Sequence, residues 1–150
     1  MRFGNLSTKA RILFFVVCCI VVFTGIFIKD RYSMHTMDEM LEDISATREI
    51  VIRAYSDDGS YEDRTVADPD AVGRICDTFW SLKMKVIRFR TLKDVVYEVR
   101  FFGADGELTD TVAIAPENNV VGISGNTFRI KSEIGILEYV RGLYADASGN

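Results

Sequence analysis

The charge of this 150-residue chain is divided unevenly between its two ends, and this division argues against nucleic acid as the partner. Residues 1–31 carry five basic residues and one acid, a net charge of +4, whereas residues 32–150 carry 13 basic and 21 acidic residues, a net charge of −8. Phosphate binding needs a basic surface, and the division is instead typical of a soluble, exported domain attached to a membrane.

A long apolar stretch near the N-terminus predicts a membrane-spanning helix. Residues 12–28, ILFFVVCCIVVFTGIFI, hold no charged residue in seventeen positions, and a span needs about 17–25 apolar residues. A cleaved secretion signal has a shorter apolar core followed by small residues, but here bulky and charged residues follow. A lipoprotein signal needs a small residue before the modified cysteine, whereas Cys18 follows Val17. We therefore expect an uncleaved transmembrane signal-anchor at residues 12–28.

The charges on either side of this stretch predict its orientation. The α-amino group and three basic residues lie within residues 1–11, whereas two basic residues and one acid follow the stretch. The positive-inside bias then places residues 1–11 in the cytoplasm and the C-terminal domain outside. The sequence thus predicts a single-pass protein of the cell membrane.

Residues 29–47 are expected to form a juxtamembrane helix or linker. Apolar residues recur at helical spacing at Met34, Met37, Leu41 and Ile44. Thr36 followed by Glu39 is typical of a capping box. Such a helix either pairs with a partner or a second copy, which would give a homodimer through span and stalk, or lies on its own domain. Three turns are short for a coiled coil, which favours the second interpretation.

Residues 48–145 have the pattern of one extracytoplasmic domain, and residues 146–150 that of a disordered tail. Strand patterns occupy residues 48–56, 84–90, 94–102, 108–115, 120–124 and 127–130, and the acidic piece 61–70 has room for one more short strand. The turns between the later strands are so short that they force antiparallel neighbours, in a meander.

Two helices complete the domain. Asp68 and Pro69 have the residue types of an N-cap and a first helical residue, and one apolar stripe follows them at Val72, Ile75, Cys76, Phe79 and Leu82. Ser132 is expected to cap a last helix whose inner face carries Ile134, Leu137, Val140 and Tyr144. The predicted fold class is therefore α+β: a two-layer domain with an antiparallel sheet meander and both helices on one face.

The sequence predicts no catalytic, cofactor-binding or metal-binding residues. The single histidine, His35, lies outside the predicted domain, so a Ser–His or Cys–His pair cannot form there. Cys76 lies on the core stripe and has no partner for a disulfide in the domain, while Cys18 and Cys19 are interpreted as small membrane residues rather than acylation or cross-linking sites. The acids between residues 57 and 70 lack the spacing of a calcium loop, and a solvated loop is favoured.

The sheet face turned away from the helices is the candidate interaction face. By strand alternation it carries Arg53, Tyr55, Glu98, Arg100, Thr109, Thr111 and Arg129. Three arginines on one face of an acidic domain suit an anionic polymer or an acidic protein. An ordinary solvated sheet face also carries arginine and threonine, and this interpretation is favoured. With no third helix to cover it, the face is expected to stay open to water.

The segment DGELTDTVAIAPENNVVGISGNTFRI, together with the element order behind an N-terminal anchor, resembles small membrane-anchored exported α+β domains of unknown function from Gram-positive bacteria. The resemblance implies membrane anchoring and no known activity. We expect a non-enzymatic, membrane-tethered domain that binds an unknown protein or an anionic envelope polymer. The alternatives are a subunit or regulator of a membrane complex acting through span and stalk, and an envelope-polymer enzyme using paired carboxylates.

Overall fold

The computed structural model of the chain describes residues 8–32, 34–41, 44–87 and 90–147. The chain divides into two compact units, Met1–Ser33 and Met34–Asn150. The first unit contains helix α1, Thr8–Tyr32. Among the described residues, the second unit is an eight-stranded antiparallel sheet with two further helices, so the predicted α+β fold is confirmed.

Helix α1 has the length and composition of a membrane span. Its stretch Thr8–Ile28 has a mean hydropathy of 2.7, and none of it is buried. At 1.5 Å per residue the 21 residues of this stretch reach about 31 Å, which matches the hydrocarbon core of a bilayer. A signal sequence near an N-terminus has the same properties. The predicted apolar helix is therefore confirmed, and its role as an anchor stays a prediction.

The strands and helices of the second unit are, in chain order, β1 (His35–Thr36), β2 (Glu49–Tyr55), β3 (Tyr61–Val66), α2 (Pro69–Trp80), β4 (Lys83–Val86), β5 (Tyr97–Phe102), β6 (Leu108–Ile114), β7 (Val120–Ile123), β8 (Asn126–Ile130) and α3 (Ile136–Asp146). Across the sheet the order is β1-β4-β8-β7-β6-β5-β2-β3. Every neighbouring pair is antiparallel.

Both helices pack on the same face of this sheet, as predicted. The strands alternate, so Ile52, Val99 and Val112 lie side by side on the helix face, and all three are fully buried. Helix α2 adds its predicted stripe to this core, with the Phe79 ring 5.5 Å from that of Phe101 in an edge-on arrangement. Helix α3 adds its own buried residues Ile136, Leu137 and Val140. One apolar core therefore holds the two layers together.

The two helix starts differ in how well the sequence predicts them. Asp68 accepts a hydrogen bond from a first-turn N–H at 2.8 Å, so the predicted cap of α2 is confirmed. The predicted cap of α3 is wrong, because the helix begins at Ile136, whose N–H donates to the distant Asn119 Oδ1 at 3.0 Å. The Ser132 hydroxyl instead accepts from the N–H of Ile134, whose side chain is 40% exposed rather than on the inner face.

Residues 34–41 and 44–47 do not form the predicted juxtamembrane helix, whereas residues 29–32 continue α1. Residues 35–36 form β1, which pairs with β4, and two short 3-10 turns follow at 37–39 and 44–46. Thr36 makes no capping hydrogen bond. The apolar spacing arises because Met37, Leu41 and Ile44 are buried in the domain core. Residues 33, 42 and 43 of the predicted helix lie outside the described ranges.

The sheet order requires long crossings between consecutive strands, and the sequence pattern does not reveal the one from β4 to β5. Strands β4 and β5 are consecutive in the chain but lie on either side of β8, β7 and β6. The predicted strand at 84–90 therefore ends at Val86, and the strand predicted from residue 94 begins only at Tyr97. Asp94, between them, has a positive φ of 57°. The connection passes over the sheet face opposite the helices.

Candidate functional site

A crossing segment, residues 90–96, covers the middle of the sheet face that faces away from the helices. The Thr127 hydroxyl donates to the Arg90 carbonyl at 2.8 Å. Leu92 lies so close to Gly122 that a Cβ there would be 2.9 Å from the leucine Cδ2, and only 3.6 Å from the Ala113 methyl. The prediction that the whole face stays open is therefore wrong, because this segment divides it into two parts.

The first part, on β2, β3 and β5, holds a tightly paired arginine. Arg53 donates to both carboxylate oxygens of Asp63, from Nε at 2.7 Å and from a terminal nitrogen at 2.8 Å. Its guanidinium also stacks on the Tyr61 ring, 3.8 Å from the ring centre. The hydrogen bonds from Arg53 lower the pKa of Asp63, and they raise the pKa of Arg53. The charge of Arg53 is thus already neutralised within the domain.

The predicted residues around this pair complete a balanced set of charges. Tyr55 has a raised pKa, first because of lost hydration and then because of its hydrogen bond with Glu98. Glu98 lies directly opposite Arg53 in the strand register. The Arg100 guanidinium lies 5.5 Å from the Phe102 ring centre, and its charge contributes to the lowered pKa of Asp63. We call Arg53, Tyr55, Asp63, Glu98 and Arg100 the paired cluster.

The two predicted threonines make local contacts on the same face. The Thr109 hydroxyl donates to the Phe101 carbonyl at 2.9 Å, where the register of β5 and β6 shifts between Phe101 and Phe102. Thr111 lies opposite Arg100 and lines a cleft of about 310 Å³ beside the crossing segment. These contacts stabilise the sheet and its covering segment.

The second part of the face, on β4 and β8, is strongly cationic. Lys85 lies directly opposite Arg129, and the Lys131 N–H donates to the Lys83 carbonyl at 2.7 Å. The intervening residues on both strands point into the core, where Met84 and Ile130 are buried. We call Lys83, Lys85, Arg129 and Lys131 the basic patch. Like charges directly opposite each other on neighbouring strands repel, so this arrangement concentrates positive charge on one part of the face.

The predicted face therefore does not form one cationic surface. Arg53 and Arg100 belong to the paired cluster, whereas Arg129 lies three strands from β5, beyond the crossing segment. The sequence prediction missed the three lysines, although cations alternate with apolar residues in both KMKV and FRIK. That alternation is the signal that would have identified them, because it places the cations together on one face.

The helix layer holds a groove of about 610 Å³ between α2 and α3. Two acids, Asp68 and Asp146, and one cation, Arg74, contribute to its walls. The Asp68 carboxylate is occupied by the N–H that it caps. In the described ranges, no three His, Cys, Asp or Glu side chains are grouped so that they could hold a metal ion.

No protein-family model, curated protein or solved structure matches this chain. The resemblance to exported domains of Gram-positive bacteria therefore stays a prediction. The two surfaces differ in their charge: the paired cluster is balanced internally, whereas the basic patch brings four cations together.

Proposed function

We propose that this protein is a membrane-tethered binding domain that holds an anionic polymer of the cell envelope on its basic patch. In this proposal α1 is an uncleaved single-pass anchor, residues 1–11 are cytoplasmic and the α+β domain lies outside. The protein binds its ligand and does not transform it. The observation that carries the proposal is the clustering of four cations on two adjacent strands of a domain whose net charge is −8.

The contrast between patch and domain gives the binding its selectivity. Charges separated by more than about 8–10 Å are largely screened at physiological salt. An anion on the patch therefore interacts mainly with the cations beside it, while the acidic remainder of the domain repels anions elsewhere. A patch of this kind directs a polyanion to one place on the surface.

The spacing of the cations suits a repeating anionic chain. Along a strand, alternate residues on one face are about 6.6 Å apart, and neighbouring strands are about 4.8 Å apart. Lys83 and Lys85 make one such row, and Arg129 and Lys131 make the other. Two short rows of cations on an exposed strand surface offer several weak contacts to successive phosphates or carboxylates. We propose a phosphodiester polymer as the ligand class.

The groove between the helices does not favour the alternative of a polymer-cleaving enzyme. A glycosidase needs two carboxyl groups that are free to act on the sugar, about 5–10 Å apart. In the groove, Asp68 is occupied as the cap of α2. We therefore place the proposed function on the basic patch.

The binding proposal is tested with the full-length protein in detergent micelles and with poly(glycerol phosphate) as the probe. The Lys83→Gln/Arg129→Gln variant should bind the polymer roughly tenfold more weakly, since two charge-assisted contacts are lost. The matched control is Arg74→Gln/Arg141→Gln, which removes two exposed cations from the helix layer. Equal weakening in both variants would mean that only net charge matters and would contradict a specific patch.

The orientation is tested separately in whole cells. A membrane-impermeant maleimide should label an Asp57→Cys variant, because residue 57 is exposed in the turn between β2 and β3. A Cys76-only control should stay unlabelled, since Cys76 is 8% exposed. Labelling of residue 57 only after lysis would place the domain in the cytoplasm. A product that lacks residues 1–28 would show that α1 is cleaved.

A further inference from the structure

The outer edge of β3 presents hydrogen-bonding groups that no other strand uses in the described part of the chain. β3 is the last strand in the sheet order and pairs only with β2. The backbone bond from Ser56 N–H to Ser60 C=O, at 2.9 Å, sets the alternation of this hairpin. It follows that the N–H and C=O groups of Tyr61, Asp63 and Thr65 point away from β2.

This edge is held firmly on both faces of the sheet. On one face, Arg53 links Asp63 and Tyr61 to the neighbouring strand. On the other face, the Arg64 guanidinium stacks 4.0 Å from the Tyr144 ring centre and donates to the Tyr144 carbonyl at 3.1 Å. The β2–β3 register is continuous over six residue pairs, without a bulge. An edge strand without a bulge keeps its outward N–H and C=O groups in line, so another strand can pair with it.

We propose that β3 pairs with β3 of a second copy of this chain, antiparallel and across a two-fold axis. Outward-pointing residues must face outward-pointing residues for the hydrogen bonds to form. Only one register uses all three outward-pointing residues of both strands. In this register Asp63 lies opposite Asp63 of the second copy, and Tyr61 lies opposite its Thr65. This register gives roughly six hydrogen bonds between the copies, two for each facing pair.

The charges of the strand favour the same register. This register places Glu62 of each copy opposite Arg64 of the other copy, at positions where facing Cα atoms are only about 4.5 Å apart. Shifting the register by two residues in one direction puts Glu62 opposite Glu62, and shifting it in the other puts Arg64 opposite Arg64. The two Asp63 carboxylates that meet at the axis are each neutralised by their own Arg53. Charge complementarity therefore selects a second copy as the occupant.

This pairing is independent of the proposed polymer binding. The basic patch lies on β4 and β8, toward the other end of the strand order from β3. A dimer through β3 would carry one basic patch toward each end of a continuous sheet. Two patches on one long ligand would bind with greater avidity than one.

Disulfide trapping of the full-length protein in lipid vesicles tests the register directly. Two variants, Glu62→Cys and Arg64→Cys, are made with Cys18→Ser and Cys19→Ser so that the apolar helix cannot cross-link. Mixed together, they should form a covalent dimer, because residues 62 and 64 face each other within disulfide distance. Each variant alone should trap roughly tenfold less, because identical residues are then diagonal neighbours about 7–8 Å apart. Equal trapping in the mixture and in the single variants would overturn the proposed register.

Charge reversal provides a second test. The single variant Glu62→Arg removes the ion pair between Glu62 and Arg64 within the strand but keeps Arg64 on the Tyr144 ring. In energy-transfer measurements between labelled copies in vesicles, Glu62→Arg should weaken association roughly tenfold, because each new arginine then faces Arg64. The Glu62→Arg/Arg64→Glu double variant restores opposite charges across the axis and should restore association. Association that is unchanged in Glu62→Arg would place the contact elsewhere, and a wild-type protein that shows no energy transfer would exclude the dimer.

Discussion

Replacing Phe79 with alanine removes the ring that joins α2 to both the sheet and α3. The side chain is fully buried, 5.5 Å from the Phe101 ring and 6.3 Å from the Tyr139 ring. A buried Phe→Ala change costs about 3–5 kcal/mol through lost burial and a residual cavity. Two aromatic neighbours lose their partner as well, which places this site toward the upper end of that range.

This loss is large compared with the stability of a domain, which is about 5–15 kcal/mol. With a urea dependence of about 1–3 kcal/mol per molar, the unfolding midpoint should fall by about 2 M. The fluorescence of Trp80, the single tryptophan, reports unfolding from the same helix. The matched control is Arg74→Ala, an exposed position on the other side of α2. A midpoint for Phe79→Ala within 0.3 M of that control, about the scale of a surface substitution, would refute the packing described for α2.

Three further changes test other parts of the fold. Gly122→Val should speed amide exchange throughout the crossing segment, because the valine side chain would occupy the space of Leu92. Unchanged exchange would mean that Leu92 does not hold the segment against Gly122. Asn119→Ala should destabilise the domain by about 1–2 kcal/mol, because Ile136 loses its cap, and Asn119→Asp, which keeps an acceptor, should lose less. The Arg53–Asp63 ion pair should stabilise the domain above about pH 4, where the carboxyl of Asp63 is ionised in the unfolded chain. This stabilisation should be lost as the pH falls through the lowered pKa of Asp63 in the folded domain. An acid unfolding curve of Asp63→Asn that is identical to that of the wild type would contradict this.

Local patterns predicted the parts of the fold that depend on neighbouring residues. The Asp68–Pro69 start of α2 and its stripe depend on one helix and one face. The sequence also predicted the turns at Gly59, Gly106 and Gly125. Each of these glycines has a positive φ of 78–82°, a conformation that glycine adopts readily. Such features are set within a few residues, so a single sequence contains them.

The parts that the sequence did not predict depend on contacts between distant residues. The cap of α3 comes from Asn119, 17 residues away, and β1 pairs with a strand that follows almost fifty residues later. Met37 falls at helical spacing with Leu41 and Ile44 because all three reach the same core, not because they share a helix. Periodicity records which residues are buried, and it identifies secondary structure only when one element supplies them all.

In the candidate site, too, the sequence predicted local features but not contacts between distant residues. Alternation correctly placed Arg53, Arg100 and Arg129 on the face away from the helices, but it could not show which strands adjoin. Because β4 pairs with β8, Lys85 comes to lie opposite Arg129, and the crossing segment separates this pair from the paired cluster. Neighbouring strands in the sheet decide whether an arginine is neutralised or clustered with other cations, and their order is a property of the whole fold.

The salt dependence of polymer binding would show whether the basic patch holds the polymer. The affinity of full-length protein for poly(glycerol phosphate) would be measured over a series of salt concentrations, for the wild type and for Lys83→Gln/Arg129→Gln. Each cation that contacts the polyanion adds to the slope of log affinity against log salt. We expect a slope that is shallower by about two contacts in this variant and unchanged in Arg74→Gln/Arg141→Gln. Identical slopes in all three proteins, or no binding by the wild type at low salt, would contradict it.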